Sequence, residues 1–182
     1  MKDFHQMLIE RHSIRRYTDQ PLDADQVKLI LEAALLAPCS KSSRAWQFVV
    51  VEDKDTLLRL ADCKTGGTVP VKNCVLAVVV MMDPLKSEAW IEDGSVAASY
   101  MQLQAAALGL GSCWVEVRGR MRADGTPSEE YVRELLGVPE TLNPMCIVTF
   151  GHSDETRRPV DPDKLLWEKV HIGYYRPGNV AD

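Results

Sequence analysis

The sequence has no apolar run long enough to cross a membrane. Its longest one, residues 74–82, has the length of a β-strand, whereas a membrane-spanning helix needs about 18 apolar residues in succession. The first residues carry no apolar stretch of the kind that a signal peptide requires. These absences predict a cytoplasmic protein that neither crosses a membrane nor binds one.

The sequence also lacks an excess of positive charge and a metal-binding pattern. Its formal net charge is -5 and its pI is near 5.4, which gives no general reason to expect a nucleic acid as a partner. The five cysteines include no C-x-x-C pair, and the four histidines lack ligand spacing to one another or to the cysteines. We therefore expect free thiols in a reducing compartment, no metal and no nucleic-acid partner.

Several catalytic signatures are missing as well. The sequence contains no G-x-G-x-x-G fingerprint, no G-x-S-x-G elbow and no Walker A loop. It therefore carries no signature of a dinucleotide-binding crossover, a serine hydrolase or a P-loop protein. What is present is an average globular composition, 46% hydrophobic and 26% charged, which argues against disorder.

Local patterns predict an alternation of helices and strands. Apolar residues at helical spacing follow a capping box at Asp23, and this helix ends before Pro38. A second capping box at Thr126 begins a helix that Gly137 ends. A continuous apolar run over residues 75–82 indicates a strand buried on both faces. The predicted helices cover residues 4–10, 24–37, 53–61, 92–110, 127–136 and 163–169, the predicted strands cover residues 46–51, 75–82, 112–117 and 145–150, and residues 64–70 form a loop.

This order predicts a single domain over residues 1–182, of the α/β or α+β class, built on about four or five strands. The longest predicted helix, residues 92–110, is apolar nearly all round. Such a helix is either central or packed against another subunit.

Four segments carry groups that could bind an anion or a heterocycle. Residues 11–15 combine two guanidinium groups, an imidazole and a hydroxyl, and guanidinium groups pair well with phosphate. Residues 38–44 offer short hydroxyl side chains and backbone amides, and residues 109–116 place glycines between a helix and a strand. In residues 151–159, two arginines follow a strand that ends in glycine. Taken singly, each segment could equally be an ordinary turn, loop or helix cap.

Together, in their order and spacing, the four segments resemble the nitroreductase family in its small single-domain branch. The family's R-x-S-x-R/K segment is matched by residues 11–15, and its A-P-S-S-x-N-x-Q-P-W motif by residues 37–46. Its G-L-G-S-C-W turn is matched by residues 109–114. Its last strand ends in glycine with a basic residue downstream, as Gly151 and Arg157 do here.

The resemblance implies FMN as cofactor, NADH or NADPH as reductant, and a small acceptor such as a nitroaromatic or a quinone. It also implies an α+β three-layer sandwich, in which helices flank a mixed, mostly antiparallel sheet, and an intertwined homodimer with FMN at the interface. No side chain is certain as a catalytic acid or base, because the flavin performs the chemistry. The FMN-binding residues implied are Arg11, His12, Ser13, Arg15, Pro38, Cys39, Ser40, Ser42, Val115, Glu116, Gly151, and either Arg157 or Arg158.

The resemblance also implies what these places do. Residues 11–15 hold the phosphate and the ribityl chain, and Arg15 is the candidate cation near flavin N1. The backbone of Val115 and Glu116 lies beside flavin N5. The loop over residues 38–42 faces the flavin that the other subunit mainly binds.

The chain departs from the family motif at three places. Cys39 stands where serine is usual, Ser42 where asparagine is usual, and residues 44–45 where Gln-Pro is usual. Three alternatives stay open: a flavin-binding or interaction protein without significant turnover, another branch activity such as a flavin reductase or dehalogenase, and a domain without a cofactor. Only residues 118–126 could form a small lid, which favours a small-acceptor reductase.

Overall fold

The computed structural model describes residues 3–175, which contain six α-helices and four β-strands. The helices are α1 (Phe4–Glu10), α2 (Ala24–Leu35), α3 (Lys54–Leu60), α4 (Val69–Asn73), α5 (Trp90–Ala107) and α6 (Ser128–Leu136). The strands are β1 (Trp46–Val51), β2 (Leu76–Met82), β3 (Gly111–Glu116) and β4 (Asn143–Gly151). Short 3₁₀ turns lie at Ser40–Ser42, Ala61–Cys63, Pro162–Lys164 and Trp167–Lys169.

The strands form one sheet in the order β1-β2-β4-β3, and all three strand pairs are antiparallel. A single parallel bridge joins Ser13 to Ser112 at the outer edge of β3. The segment that follows α1 therefore extends the sheet by a short parallel contact. This arrangement agrees with the predicted mixed, mostly antiparallel sheet.

Every residue of β2 is buried, as the apolar run predicted, because both faces of the sheet are covered by helices. Side chains alternate along the strand, so Val79 and Met81 point to one face while Val78 and Val80 point to the other. The first face packs on α3, α4 and α6 through Leu57, Leu60, Val71 and Val132. The second packs on α2 and α5 through Ile30, Ala34, Ala98 and Met101. The fold is thus a three-layer α+β sandwich, which confirms the predicted class.

Helix α5 buries only part of its apolar surface within the chain. Its inner side, with Ala97, Ala98 and Met101, packs on the sheet. On its outer side, Tyr100 is 40% exposed, and together with Leu103 it lines an open apolar groove of about 510 Å³ against α1. The sequence predicted a helix with no polar side, and the structure leaves that outer side uncovered.

Most of the predicted boundaries agree with the structure, and three predictions were wrong. The predicted loop at residues 64–70 extends only to Thr68, because α4, a short helix with Pro70 in its first turn, begins at Val69. Helix α6 lacks the predicted capping box, because Glu129 instead accepts a hydrogen bond from the Gly119 backbone N–H at 2.6 Å. Residues 163–169 form two 3₁₀ turns rather than a helix.

Within residues 3–175, no helix is both long and apolar enough to cross a membrane. The same residues contain no cluster of three or more His, Cys, Asp or Glu side chains that could hold a metal ion.

Candidate functional site

The basic segment, residues 11–17, lies against the outer edge of β3. The Ile14 backbone N–H donates to the Ser112 carbonyl oxygen at 2.9 Å, which fixes the register of the two segments. The side chain of Ile14 packs directly over Gly111, where a Cβ atom would come within 2.9 Å of it. Tyr17 packs equally closely over Gly151. The two glycines therefore let the basic segment approach the sheet edge.

A cavity of about 300 Å³ opens beside this contact. It brings together three of the predicted site residues, Arg11, His12 and Arg157, although Arg157 lies more than 140 positions from the other two in the sequence. Residues from the turn between α5 and β3 and from the start of β3 form another wall, including Gly109 and Ser112. The cavity thus combines guanidinium, imidazole and hydroxyl groups, which suit a phosphorylated ligand, with the carboxylates of Glu10 and Glu155 in the same wall.

His12 carries a ring nitrogen whose hydrogen bonding is incomplete. Its Nε2 atom is buried and has no hydrogen-bond partner among residues 3–175. Buried polar atoms in folded proteins nearly always have a partner, and an exception calls for an explanation such as a ligand. Among the same residues, Trp46 Nε1, Arg133 Nε and Asn143 Oδ1 also lack a partner and belong to residues outside the cavity wall, so the unpaired nitrogen does not by itself indicate a ligand.

Glu155 links the two basic parts of the cavity. One carboxylate oxygen accepts from the Arg15 backbone N–H at 2.6 Å, and the other from Arg157 Nη2 at 2.9 Å. The hydrogen bond from Arg15 lowers the pKa of Glu155, and the charge of Arg157 adds to the effect. The side chain is 8% exposed, and its hydrogen bonds to the two segments favour the anion against the opposing effect of burial.

Ser13 and Arg15 lie next to the cavity rather than in its wall. Ser13 lines a neighbouring pocket of about 260 Å³, which it shares with Arg11 and Trp114. Arg15 is exposed, and its guanidinium contacts the Ser13 carbonyl oxygen at 3.4 Å. Residues 11–13 therefore line two pockets that share Arg11, and Arg15 lines neither of them.

Strand β3 is an edge strand, so alternate residues direct their backbone groups away from β4. Ser112 is one of the outward residues, because its carbonyl accepts from Ile14. The alternation places the backbone N–H of Glu116 on the same open edge. Its side chain is occupied elsewhere, with Oε2 accepting from Trp114 Nε1 at 3.0 Å. Val115 instead buries its side chain beneath the sheet.

Lys64 is a cation near strand β3, and the sequence patterns did not mark it as a site residue. Burial lowers the pKa of its ammonium group, and the carboxylate of Glu116 lies near enough to act against this shift. A signal existed in the sequence, since Lys64 opens the glycine-containing loop, but nothing local indicated which part of the fold the loop meets.

The loop with Pro38, Cys39, Ser40 and Ser42 lies elsewhere in the chain, and none of the four lines the cavity. It packs beside the first turn of α5, whereas the cavity lies at the other end of that helix. Asp93 and Ala106, which mark the two ends, are about 20 Å apart at a rise of about 1.5 Å per residue. One chain therefore does not bring all the predicted residues together.

This loop has a strained backbone. Lys41, Ser42 and Arg44 all have positive φ angles, of 50°, 53° and 47°. Each such residue other than glycine costs about 1 kcal/mol or more, so the surrounding contacts must hold the conformation. Asparagine tolerates this region better than serine, which gives a physical reason for the family's asparagine where this chain has Ser42.

Two further predicted residues do not line the cavity. Gly151 contacts Tyr17, so the structure gives it a packing role at the sheet edge. Arg158 is exposed and lies outside the cavity wall, whereas Arg157 forms part of it.

The chain is an α+β protein with an α-β-α sandwich and a cavity beside an edge strand of its antiparallel sheet. The sequence model of the nitroreductase family matches residues 8–91 and 84–152 of this chain. The chain belongs to the nitroreductase family.

Curated relatives and solved structures agree with this placement. A putative NADH dehydrogenase/NAD(P)H nitroreductase of Archaeoglobus fulgidus is 33% identical over 179 residues, covering 94% of this chain and 98% of the relative. A protein of the same description from Methanothermobacter thermautotrophicus is 31% identical and covers 87% of this chain and 83% of its own length. The solved structure of an FMN-dependent nitroreductase from Clostridium difficile has a TM-score of 0.92 and 45% identity, covering 94% of this chain and 99% of that one.

Proposed function

We propose that the protein is an FMN-dependent oxidoreductase that transfers hydride from NADH or NADPH to a small acceptor such as a nitroaromatic or a quinone. The observation that carries this proposal is the cavity beside β3, which brings together Arg11, His12 and Arg157. The solved relative from Clostridium difficile is described as FMN-dependent, which supports the choice of cofactor.

The donor groups fit the parts of FMN. Arg11 and Arg157 would hold the phosphate, because guanidinium groups donate charge-assisted hydrogen bonds to it. Ser13 would contact the ribityl chain from the neighbouring pocket. We assign Arg157 rather than Arg158 to the phosphate, because only Arg157 lines the cavity.

When bound, the flavin supplies the centre that accepts and donates hydride. The chain's own contribution is orientation and charge. The outward backbone N–H of Glu116 would lie beside the reactive part of the ring. Arg15 and Lys64 both lie near enough to Cys113 of β3 to act on it electrostatically, and their positive charges would stabilise the negative charge of a reduced ring.

We also propose that the protein is a homodimer and that each flavin site is shared between two subunits. The cavity and the loop at residues 38–44 lie near opposite ends of α5, so one chain cannot present both to one ligand. The uncovered apolar side of α5, with Tyr100 and Leu103, gives a second copy a surface to bury.

The end of the chain supports the same assembly. Val160 is tied to the body by a hydrogen bond from its N–H to the Ile9 carbonyl oxygen at 2.9 Å. Beyond it, the described residues are exposed although many are apolar or aromatic. They include Trp167, which is 68% exposed, and Ile172, which is 91% exposed. An arm of this composition is suited to packing on a partner subunit.

A visible absorption spectrum of the purified protein, recorded before and after anaerobic addition of NADH or NADPH, tests the central claim. We expect a flavin spectrum that bleaches with the reductant and recovers when a nitroaromatic or a quinone is added. A flavin that bleaches but does not recover would favour the binding protein without turnover. A colourless protein that takes up no added FMN would refute the proposal.

Sedimentation equilibrium tests the assembly. We expect a dimer that binds two FMN molecules. A monomer that binds FMN stoichiometrically would contradict the shared site and leave the cofactor assignment standing.

A further inference from the structure

The carboxylate of Asp93 is a buried group outside the cavity, with only 4% of the residue exposed. It lies in the first turn of α5, which begins at Trp90. The N-terminal end of a helix carries partial positive charge and favours an anion there. Burial of an ionised carboxylate nevertheless requires specific hydrogen bonds.

Three donors supply those bonds. Oδ1 accepts from the Ser40 backbone N–H at 2.7 Å, a distance typical of a charge-assisted bond. Oδ2 accepts from Ser43 Oγ at 3.2 Å and from Ser87 Oγ at 2.8 Å. The carboxylate therefore ties two points of the strained loop to the start of α5.

Ser40 and Ser43, the two loop residues that bond Asp93, lie on either side of two residues with strained backbone. Lys41 and Ser42, which have positive φ, stand between Ser40 and Ser43. Inside the loop, the Ser43 N–H donates to the Ser40 carbonyl at 2.9 Å, and the Arg44 N–H donates to Cys39 Sγ at 3.3 Å. These local bonds close the turn. The buried carboxylate of Asp93 joins it to the helix, together with an exposed ion pair between Lys41 and Glu88 at 3.8 Å.

We infer that Asp93 is a positioning residue of the flavin site, whose ionised carboxylate holds residues 40–43 in the conformation that meets the flavin of the partner subunit. This inference rests on the proposed function, because it assumes that the loop faces a flavin. Its mechanical part, the anchoring of the loop, does not depend on the cofactor.

The test uses full-length protein and three variants. Asp93→Ala removes all three accepted bonds, and Asp93→Asn removes the charge at nearly constant size. Asp83→Asn is the matched control. Asp83 is also buried, at 9% exposure, and its side chain bonds the Leu85 N–H at 3.0 Å and Lys86 at 3.5 Å, with no bond to residues 40–43.

Amide hydrogen exchange is the first measurement, and it needs no flavin. We expect exchange in residues 39–45 to be at least about tenfold faster in Asp93→Ala, with protection of β2 and β4 retained. The control should keep the exchange of wild type. Unchanged exchange in both Asp93 variants would overturn the inference.

FMN binding and the midpoint potential of the bound flavin form the second measurement. We expect the FMN Kd of Asp93→Asn to rise about tenfold and the potential to shift, while the control keeps both values. A loosened loop with unchanged FMN Kd and potential would overturn the flavin-positioning part. Wild type that binds no FMN would instead refute the proposed function, and the exchange result would still decide the anchoring.

Ser43→Ala covers the case in which Asp93→Ala does not fold. It removes one donor to the carboxylate without leaving a buried group unpaired on the loop side. We expect a smaller increase of the same sign in loop exchange and in the FMN Kd. No change in either quantity, together with no change in Asp93→Asn, would overturn the inference.

Discussion

The two parts of the proposed flavin site are held in place by different means. The basic segment, residues 11–17, is fastened at several independent points: the Ile14–Ser112 backbone bond, the Tyr17 hydroxyl and the carboxylate of Glu155. The loop at residues 38–44 has a strained backbone and is joined to the rest of the chain by the carboxylate of Asp93 and by an exposed ion pair between Lys41 and Glu88 at 3.8 Å. The segment proposed to hold the phosphate is therefore fixed by contacts to several parts of the fold. Within residues 3–175, the only buried side chain that hydrogen-bonds the loop proposed to face the ring is that of Asp93.

This contrast says where substitutions should matter. In the basic segment, a substitution that removes one contact to the sheet leaves the other contacts in place. Substitutions there should therefore leave the structure of the segment unchanged, and they should affect binding only where the side chain itself contacts the ligand. In the loop, the loss of one group should alter the geometry of the whole turn. Four substitutions, in decreasing order of expected effect, test this difference.

Arg11→Ala removes a ligand contact and leaves the fastening intact. We expect the FMN Kd to rise about 10- to 100-fold, because a hydrogen bond to a charged group contributes about 1.5–3 kcal/mol. Fluorescence titration with FMN measures it. Arg16→Ala is the control, since Arg16 is exposed and does not line the cavity. Stoichiometric flavin in purified Arg11→Ala, with an unchanged Kd, would refute the assignment of Arg11.

Tyr17→Phe removes one fastening and no ligand contact. The Tyr17 hydroxyl donates to the Ile14 carbonyl at 2.6 Å and shares a hydrogen bond with Thr149 Oγ1 at 2.8 Å. We expect the free energy of unfolding to fall by about 1 kcal/mol in urea denaturation. The FMN Kd should change by less than about threefold. A larger change in FMN binding would show that the basic segment is not redundantly held.

Glu155→Gln tests the contact between Glu155 and the basic segment through the pH dependence of stability. Because the pKa of folded Glu155 lies below its usual 4.5, the carboxylate stabilises the fold above that pH and loses this contribution as pH falls through the folded pKa. Wild type should exceed the variant in stability at pH 7 by about 1 kcal/mol or less. We expect the difference to shrink below about pH 4.5 in denaturation measured across the acid range. A difference independent of pH would contradict the ionic role.

Ser42→Asn should stabilise the loop at residues 38–44, which has fewer hydrogen bonds to the rest of the chain than the basic segment. Ser42 has a φ angle of 53°, and asparagine adopts this conformation more readily than serine. We expect a gain of a few tenths of a kcal/mol in thermal unfolding, or no loss. Ser42→Ala is the control, because alanine gains nothing at positive φ. A destabilised Ser42→Asn would indicate that the loop adopts a different backbone.

Sequence patterns predicted the elements whose signals are local. The all-apolar run marked β2, and a capping box marked the start of α2, where the Asp23 N–H donates to Gln26 Oε1 at 2.9 Å. Helix α4 was missed because five residues with a proline carry too little periodicity. The order β1-β2-β4-β3 also lies beyond local patterns, since it depends on packing between distant segments.

The same distinction holds for the site. The chain neighbours Arg11, His12 and Ser13 could be singled out because they are close in sequence. The roles of Glu155 and Asp93 could not, because each acts on a segment that is 50 or more positions away. A lone carboxylate has no sequence signature that tells an anchor from a solvated charge.

Because the two parts of the proposed site lie near opposite ends of α5, the proposal needs two subunits for each site, and this has a thermodynamic consequence. When a ligand contacts both subunits, its binding and their association are linked, and each raises the equilibrium constant of the other by the same factor. The apparent affinity for FMN should therefore depend on protein concentration, and dilution should release flavin together with monomer. Conversely, FMN should lower the dimer dissociation constant, so cofactor supply would set how much of the protein is assembled.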